Sequence, residues 1–166
     1  SLKDLANYKA VKREALCFDY SVKKVSREYK VCGFPPPSSG ALAMGQILGI
    51  LNHTPATQMP LAVGMPSVDW LHFYNEAAKL AFADRAQFVA DPDFVSAPGG
   101  RWQTLLNPDY LRQRSGLIGL QSMKMAQAGQ PTPQAHAWAP MPHQIEQGTS
   151  HISVVDSSGQ ALAMTT

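Results

Sequence analysis

The residues best placed to do chemistry lie in the run Gln147-Gly148-Thr149-Ser150-His151-Ile152-Ser153-Val154-Val155-Asp156. It sets a hydroxyl directly after a glycine and directly before an alternating, strand-like pattern. A threonine hydroxyl is a poor nucleophile until a base takes its proton. The residue's own α-amine can be that base, but only when the threonine begins a chain. A free α-amine titrates near ~8, close to the value a general base needs at neutral pH. Creating that terminus requires the precursor to cut itself at the preceding bond. Thr149 Oγ would attack the Gly148 carbonyl, and water would hydrolyse the resulting ester. Glycine at 148 tolerates backbone geometries closed to other residues. Taken alone, Gly-Thr before a strand is also what any loop leading into a strand can look like.

Other candidates carry blander readings. Asp91 and Asp93 flank Pro92 and read as turn and cap residues rather than paired acid and base. Asp84-Arg85 reads as a structural ion pair, buried or half-buried, because burying one charge without the other is costly. His136, His143 and His151 lack metal-ligand spacing, so no metal or cofactor is expected. Ser38-Ser39-Gly40 at a helix start would suit an anion, yet helix capping accounts for it. Trp70, Phe73 and Phe88 read as core.

The elements that must position Thr149 follow from periodicity. Ser150 to Val155 alternates as a strand, Asp156-Ser157-Ser158-Gly159 is a hairpin turn, and 160–166 is the returning strand. Upstream, Leu2 to Tyr8 has the look of a helix end. Val11 to Phe34 alternates apolar and polar residues and predicts two or three antiparallel strands. Pro35-Pro36-Pro37 must end them, since proline cannot donate to a ladder. A helix is expected over about 41–51, with Leu42, Ile47, Leu48 and Leu51 inward and Gly45 and Gly49 permitting close packing. The strongest helix is expected over 67–90. Trp70, Phe73, Ala77, Leu80, Ala81 and Phe88 form its apolar stripe, Leu71, Tyr74, Ala78 and Phe82 widen it, and His72, Glu76, Lys79, Ala83 and Gln87 form the wetter face. Asn107-Pro108-Asp109 opens a short helix with proline at its first position. Residues 121–147, rich in Gln, Ala, Pro, Gly and Met, show no sustained period and read as an irregular or disordered connection.

Composition excludes several classes. The chain has 166 residues and 45% hydrophobic content, enough for one core. A net charge of +2 without a long basic run gives no nucleic-acid surface, and Lys23-Lys24 and Arg112/Arg114 read as solvated faces. No apolar stretch reaches the ~18 residues a membrane span needs, and no signal-peptide pattern opens the chain. Cys17 and Cys32 read as two buried thiols, or as a disulfide if their strands pair in register in an oxidising compartment.

Four stretches occur together in one order: Pro35-Pro36-Pro37-Ser38-Ser39-Gly40, then Glu76-Ala77-Ala78-Lys79 with Ala83-Asp84-Arg85, then Asp91-Pro92-Asp93-Phe94-Val95, then Thr149-Ser150-His151-Ile152-Ser153-Val154-Val155-Asp156. With the opening Asp4-Leu5-Ala6-Asn7-Tyr8-Lys9-Ala10-Val11, they closely resemble the γ-glutamyltranspeptidase family over nearly the whole chain. The resemblance implies an α+β architecture, part of an αββα N-terminal-nucleophile hydrolase sandwich of antiparallel strands and several helices. It implies that residues 1–148 form the C-terminal part of a large subunit and 149–166 the β-hairpin that starts a small one. Thr149 matches the family's nucleophile, and Gly148 then carries the carbonyl of the bond that is cut. The implied substrates are glutathione or other γ-glutamyl compounds, with water or amino acids as acceptors. The implied location is periplasmic or secreted.

The chain departs from the family pattern in places. Ala41 stands where a second glycine is usual, Ser150 where threonine is common, the Val11 to Phe34 hairpin is long, and position 148 varies in the family. The family's carboxylate-gripping arginine and oxyanion glycines fall outside residues 1–166, and its supporting threonine would come just after Thr166. The 166-residue chain alone is therefore expected to stay uncut, inactive and prone to self-association. A cephalosporin-acylase-like or poly-γ-glutamate-cleaving relative, and a non-catalytic binding module, are the alternative readings.

Overall fold

The computed structural model of the chain describes residues 1–22, 27–133, 140 and 148–165. Helix α1 spans Leu2–Asn7 and is exposed along its length. Strands β1 (Leu16–Val22) and β2 (Arg27–Gly33) pair antiparallel, from Leu16 opposite Gly33 to Val22 opposite Arg27. Residues 11–15 stay outside both strands, so the predicted stretch from Val11 to Phe34 is shorter in fact. Lys23-Lys24 lie outside the described residues. The register sets Cys17 directly opposite Cys32, and the two form a disulfide with Cα atoms 4.1 Å apart. Two buried thiols are therefore not what the chain holds, because the strand register sets the two cysteines opposite each other.

Helix α2 (Gly40–Leu51) and helix α3 (Val68–Phe88) form the centre, with helix α4 (Pro108–Ser115) across them. Ser67 caps α3 by accepting from the Trp70 N–H, and Asn107 caps α4 by accepting from the Asp109 and Tyr110 N–H groups. Proline at the first position of α4 gives up an N–H that has no helical partner anyway. Ser39 precedes α2 but makes no side-chain cap; its Oγ accepts from Arg85 Nε at 2.8 Å instead.

The core has two apolar clusters separated by a polar layer. Leu16, Ala41, Leu42, Phe88, Leu105 and Tyr110 make one, and Ile50, Leu51, Ala56, Ala77, Leu80 and Leu111 the other. Along α2 the order Leu42, Gln46, Ile50 steps one turn at a time from the first cluster through the polar layer to the second; along α3 the order Phe88, Asp84, Leu80 does the same in reverse. Ala41, the departure noted above, buries its methyl in the first cluster.

Two expectations for α3 need correcting. Glu76 is 1% exposed rather than on a wet face. Leu71, Tyr74 and Phe82, expected to widen the buried arc, are 41%, 39% and 51% exposed. The helix buries one stripe that includes two carboxylates and turns apolar residues outward.

Residues 121–133, expected to be irregular or disordered, contain no helix or strand, yet they are packed. Met123, Ala126 and Ala128 sit against the two clusters. Their backbone is held by side chains: Glu76 accepts from the Met123 N–H, and Asp84 from the Gly129 N–H, each at 2.8 Å. A segment whose N–H groups are satisfied by carboxylates has no periodic signature in sequence.

Strands β3 (His151–Val155) and β4 (Ala161–Thr165) form the second antiparallel pair, His151 opposite Thr165. Asp156 builds the turn: its carboxylate accepts from the Ser158 and Gln160 N–H groups, and Gly159 takes φ +82°, a conformation that favours glycine.

Candidate functional site

Gly148 and Thr149 lie outside any helix or strand, separated from β3 by Ser150, and both are exposed. A Cβ placed at Gly148 meets none of the described residues within 4 Å.

The hairpin is a small amphipathic sheet. Ile152 pairs with Met164 and Val154 with Leu162, so one face is apolar. His151, Ser153, Val155, Ala161, Ala163 and Thr165 alternate onto the other. On that face the His151 ring bridges two hydroxyls, with Nδ1 2.7 Å from Thr165 Oγ1 and Nε2 2.9 Å from Ser153 Oγ. Neutral imidazole has one N–H and one lone pair, and a hydroxyl can donate or accept, so either tautomer satisfies both contacts. Read only for metal spacing, His151 gives no sequence signal. The signal lies in the hairpin register: a turn at 156–159 sets 151 against 165 and leaves 153 on the same face.

The other sequence candidates are structural. Asp84 and Arg85 do not pair with each other. Asp84 is fully buried and takes an ion pair from Arg114 at 3.1 Å, with donors Gln46 Nε2 at 2.8 Å and Tyr110 OH at 2.7 Å. Adjacent residues on a helix point about 100° apart, so Asp84 enters the core while Arg85 reaches Ser39 and lies over the Phe82 ring. Burial, then the Asp84 charge and hydrogen bond, push the Tyr110 hydroxyl's pKa well above its usual value and keep it a donor. Burial would raise the Glu76 carboxyl, but hydrogen bonds from Lys79, Met123 and Ser122, together with the Lys79 charge, outweigh it and hold the group below its ordinary value.

Asp91 and Asp93 build a turn, with the Asp93 N–H on Asp91 Oδ1 at 3.0 Å, and both carboxylates face Arg13. Phe88 is buried, and Trp70 and Phe73 pack on the second cluster. His136 and His143 lie outside the described residues. Among the described residues no group of three His, Cys, Asp or Glu is placed to hold a metal, and no helix is long and apolar enough to cross a membrane.

The family model described as gamma-glutamyltranspeptidase matches residues 1–166. Among curated relatives, the glutathione hydrolase proenzyme of Escherichia coli (strain K12) is 37% identical over 98% of this chain, and an acylase ACY 1 proenzyme of Pseudomonas sp. (strain V22) is 33% identical over 98% of it. The chain spans 25% of the length of each. Among solved structures, the γ-glutamyltranspeptidase of Pseudomonas nitroreducens complexed with L-DON superposes with a TM-score of 0.62 at 27% identity, covering 77% of this chain and 36% of that one.

Proposed function

The chain belongs to the γ-glutamyltranspeptidase family, and on that premise we propose that it is the segment of a self-cleaving γ-glutamyltransferase and glutathione hydrolase precursor that carries the nucleophile. Residues 1–148 are then the C-terminal part of the large subunit and 149–166 the start of the small one, within an αββα sandwich. The observation that carries this reading is Thr149, in the family's motif order and at the exposed head of a β-strand.

In the precursor, Thr149 Oγ attacks the Gly148 carbonyl carbon. The C–N bond breaks, the freed nitrogen becomes the Thr149 α-amine, and Gly148 is held as an ester. Water hydrolyses that ester and leaves a Gly148 carboxylate. In the processed enzyme the α-amine takes the proton of Thr149 Oγ as the oxygen attacks a γ-glutamyl carbonyl. That proton passes to the leaving amine. The acyl ester then goes to water or to the amine of an acceptor amino acid. The Cys17–Cys32 disulfide supports a periplasmic or secreted location, because disulfides persist in oxidising compartments.

The test is Thr149→Ala in the full-length precursor, read by intact mass and by release of a chromogenic γ-glutamyl anilide. The expected result is an unsplit chain without turnover. Splitting and turnover at the wild-type rate would remove Thr149 from the role. A second reading, a cephalosporin-acylase-like activity, is favoured by the 33% identity to the acylase proenzyme. Turnover of a cephalosporin side-chain amide in preference to the γ-glutamyl anilide, both lost in Thr149→Ala, would select it.

A further inference from the structure

We propose that His151 is a positioning residue that ties β3 to β4 at the His151/Thr165 pair and so holds the backbone that leads from Thr149 into β3. The proposal rests on the reading of Thr149 as nucleophile.

Thr149 lies two residues before His151, and positions 149, 151 and 153 share one parity along the strand direction. The backbone bond from the Asp156 N–H to the Gln160 carbonyl sets the alternation of this ladder. Counting back from it, Val154/Leu162 and Ile152/Met164 are hydrogen-bonded rungs, and His151/Thr165 is a rung without backbone bonds. Such rungs bring side chains closest together. The link between His151 Nδ1 and Thr165 Oγ1 at 2.7 Å therefore joins the strands directly where the backbone does not.

The second contact, Nε2 to Ser153 Oγ at 2.9 Å, fixes the ring along its own strand. Together the two hydrogen bonds set the ring's orientation. A β-branched or aromatic residue would suit the strand as well by propensity alone. What histidine adds is the two-ended bridge. Loosening β3 from β4 at this pair lets the backbone that carries Thr149 shift, and a misplacement of about 1 Å at a reacting atom costs about a hundredfold in rate.

The experiment uses the full-length precursor with His151→Phe, His151→Asn, Thr165→Val and the double variant His151→Phe/Thr165→Val, beside Thr149→Ala. The readouts are the half-time of splitting by intact mass, and kcat and KM on a γ-glutamyl anilide for the processed enzyme. His151→Phe keeps ring size and loses both bonds. It is expected to slow splitting and lower kcat about ten- to a hundredfold, with KM unchanged. Asparagine can place an amide where Nδ1 was, so His151→Asn stays close to wild type. Thr165→Val, a same-shape change that keeps the fold even where His151→Phe does not, reproduces the loss, and the double variant is no worse than either.

Wild-type rates in both His151→Phe and Thr165→Val, losses that multiply in the double variant, or a His151→Asn as slow as His151→Phe would each overturn the proposal. If Thr149→Ala abolishes splitting while those results hold, only the positioning role is lost. If Thr149→Ala still splits, the reading of the nucleophile fails and takes the positioning role with it.

Discussion

Glu76 and Asp84 lie about two turns apart on α3, both buried, and each holds a loop N–H. Their partners explain how charge survives in the core: Asp84 meets Arg114, Gln46, Tyr110 and Gly129, and Glu76 meets Lys79, Ser122 and Met123. The sequence marks both as polar positions on a helix but not that the polar stripe faces inward, since every partner except Lys79 lies 26 to 47 positions away and in other segments.

Glu76 carries a pH prediction. Its folded value lies below the ordinary 4.5, so the charged form contributes stability that is complete above that pH and lost as pH falls through the lower folded value. Glu76→Gln should destabilise the chain by about 1–3 kcal/mol at neutral pH. In urea titrations from pH 7 to 3 the gap between wild type and Glu76→Gln should be constant above about pH 5 and narrow below it. A gap that widens in acid would contradict the assignment.

At the scale of elements, α2 is the packing hub. The Gly45/Gly49 spacing predicts close approach, and the structure supplies the neighbours. A Cβ at Gly45 would stand 2.8 Å from Leu106 Cδ2 and 3.1 Å from Phe18 Cε1, and one at Gly49 would run into the Leu111 side chain of α4. Gly49→Ala should therefore lower stability by about 1–3 kcal/mol, seen as a lower urea midpoint with an unchanged slope. Gly148→Ala, where a Cβ meets none of the described residues within 4 Å, is the matched control. Equal midpoints for the two variants would mean that α2 and α4 can separate at no cost. The β1–β2 hairpin packs on this hub through Leu16 and Phe18, and its disulfide follows from register, which alternation alone leaves open.

Across the molecule, apolar side chains face solvent in several places among the described residues, and two such surfaces lie on regular elements near the centre and at the second hairpin. One is the outer side of α3, with Leu71, Tyr74 and Phe82; the other is the hairpin face of Ile152, Val154, Leu162 and Met164, between 47% and 58% exposed. Surfaces of this kind associate in water. The 166-residue chain should sediment as a concentration-dependent mixture of monomer and larger species. Charged substitutions Ile152→Glu and Leu162→Lys should shift that mixture toward monomer. A single monomer peak at all concentrations for the wild type would show that neither face is adhesive.

Sequence alone determined the helices over α2 and α3, the capped α4 and both hairpins. Each of these is local: a period, a cap or a turn residue within a few positions. The ordered motifs determined the family as well, because four matches in one order need no coordinates. Tertiary structure decided what depends on residues distant in the chain meeting. That includes the pairing of Asp84 with Arg114 instead of Arg85, the burial of Glu76, the packing of residues 121–133 and the Cys17–Cys32 bond. It also includes the His151 bridge between Ser153 and Thr165, two residues after Thr149. Periodicity reports which face of an element is apolar, whereas the partner across the gap is set by how the elements pack and by the register of their strands.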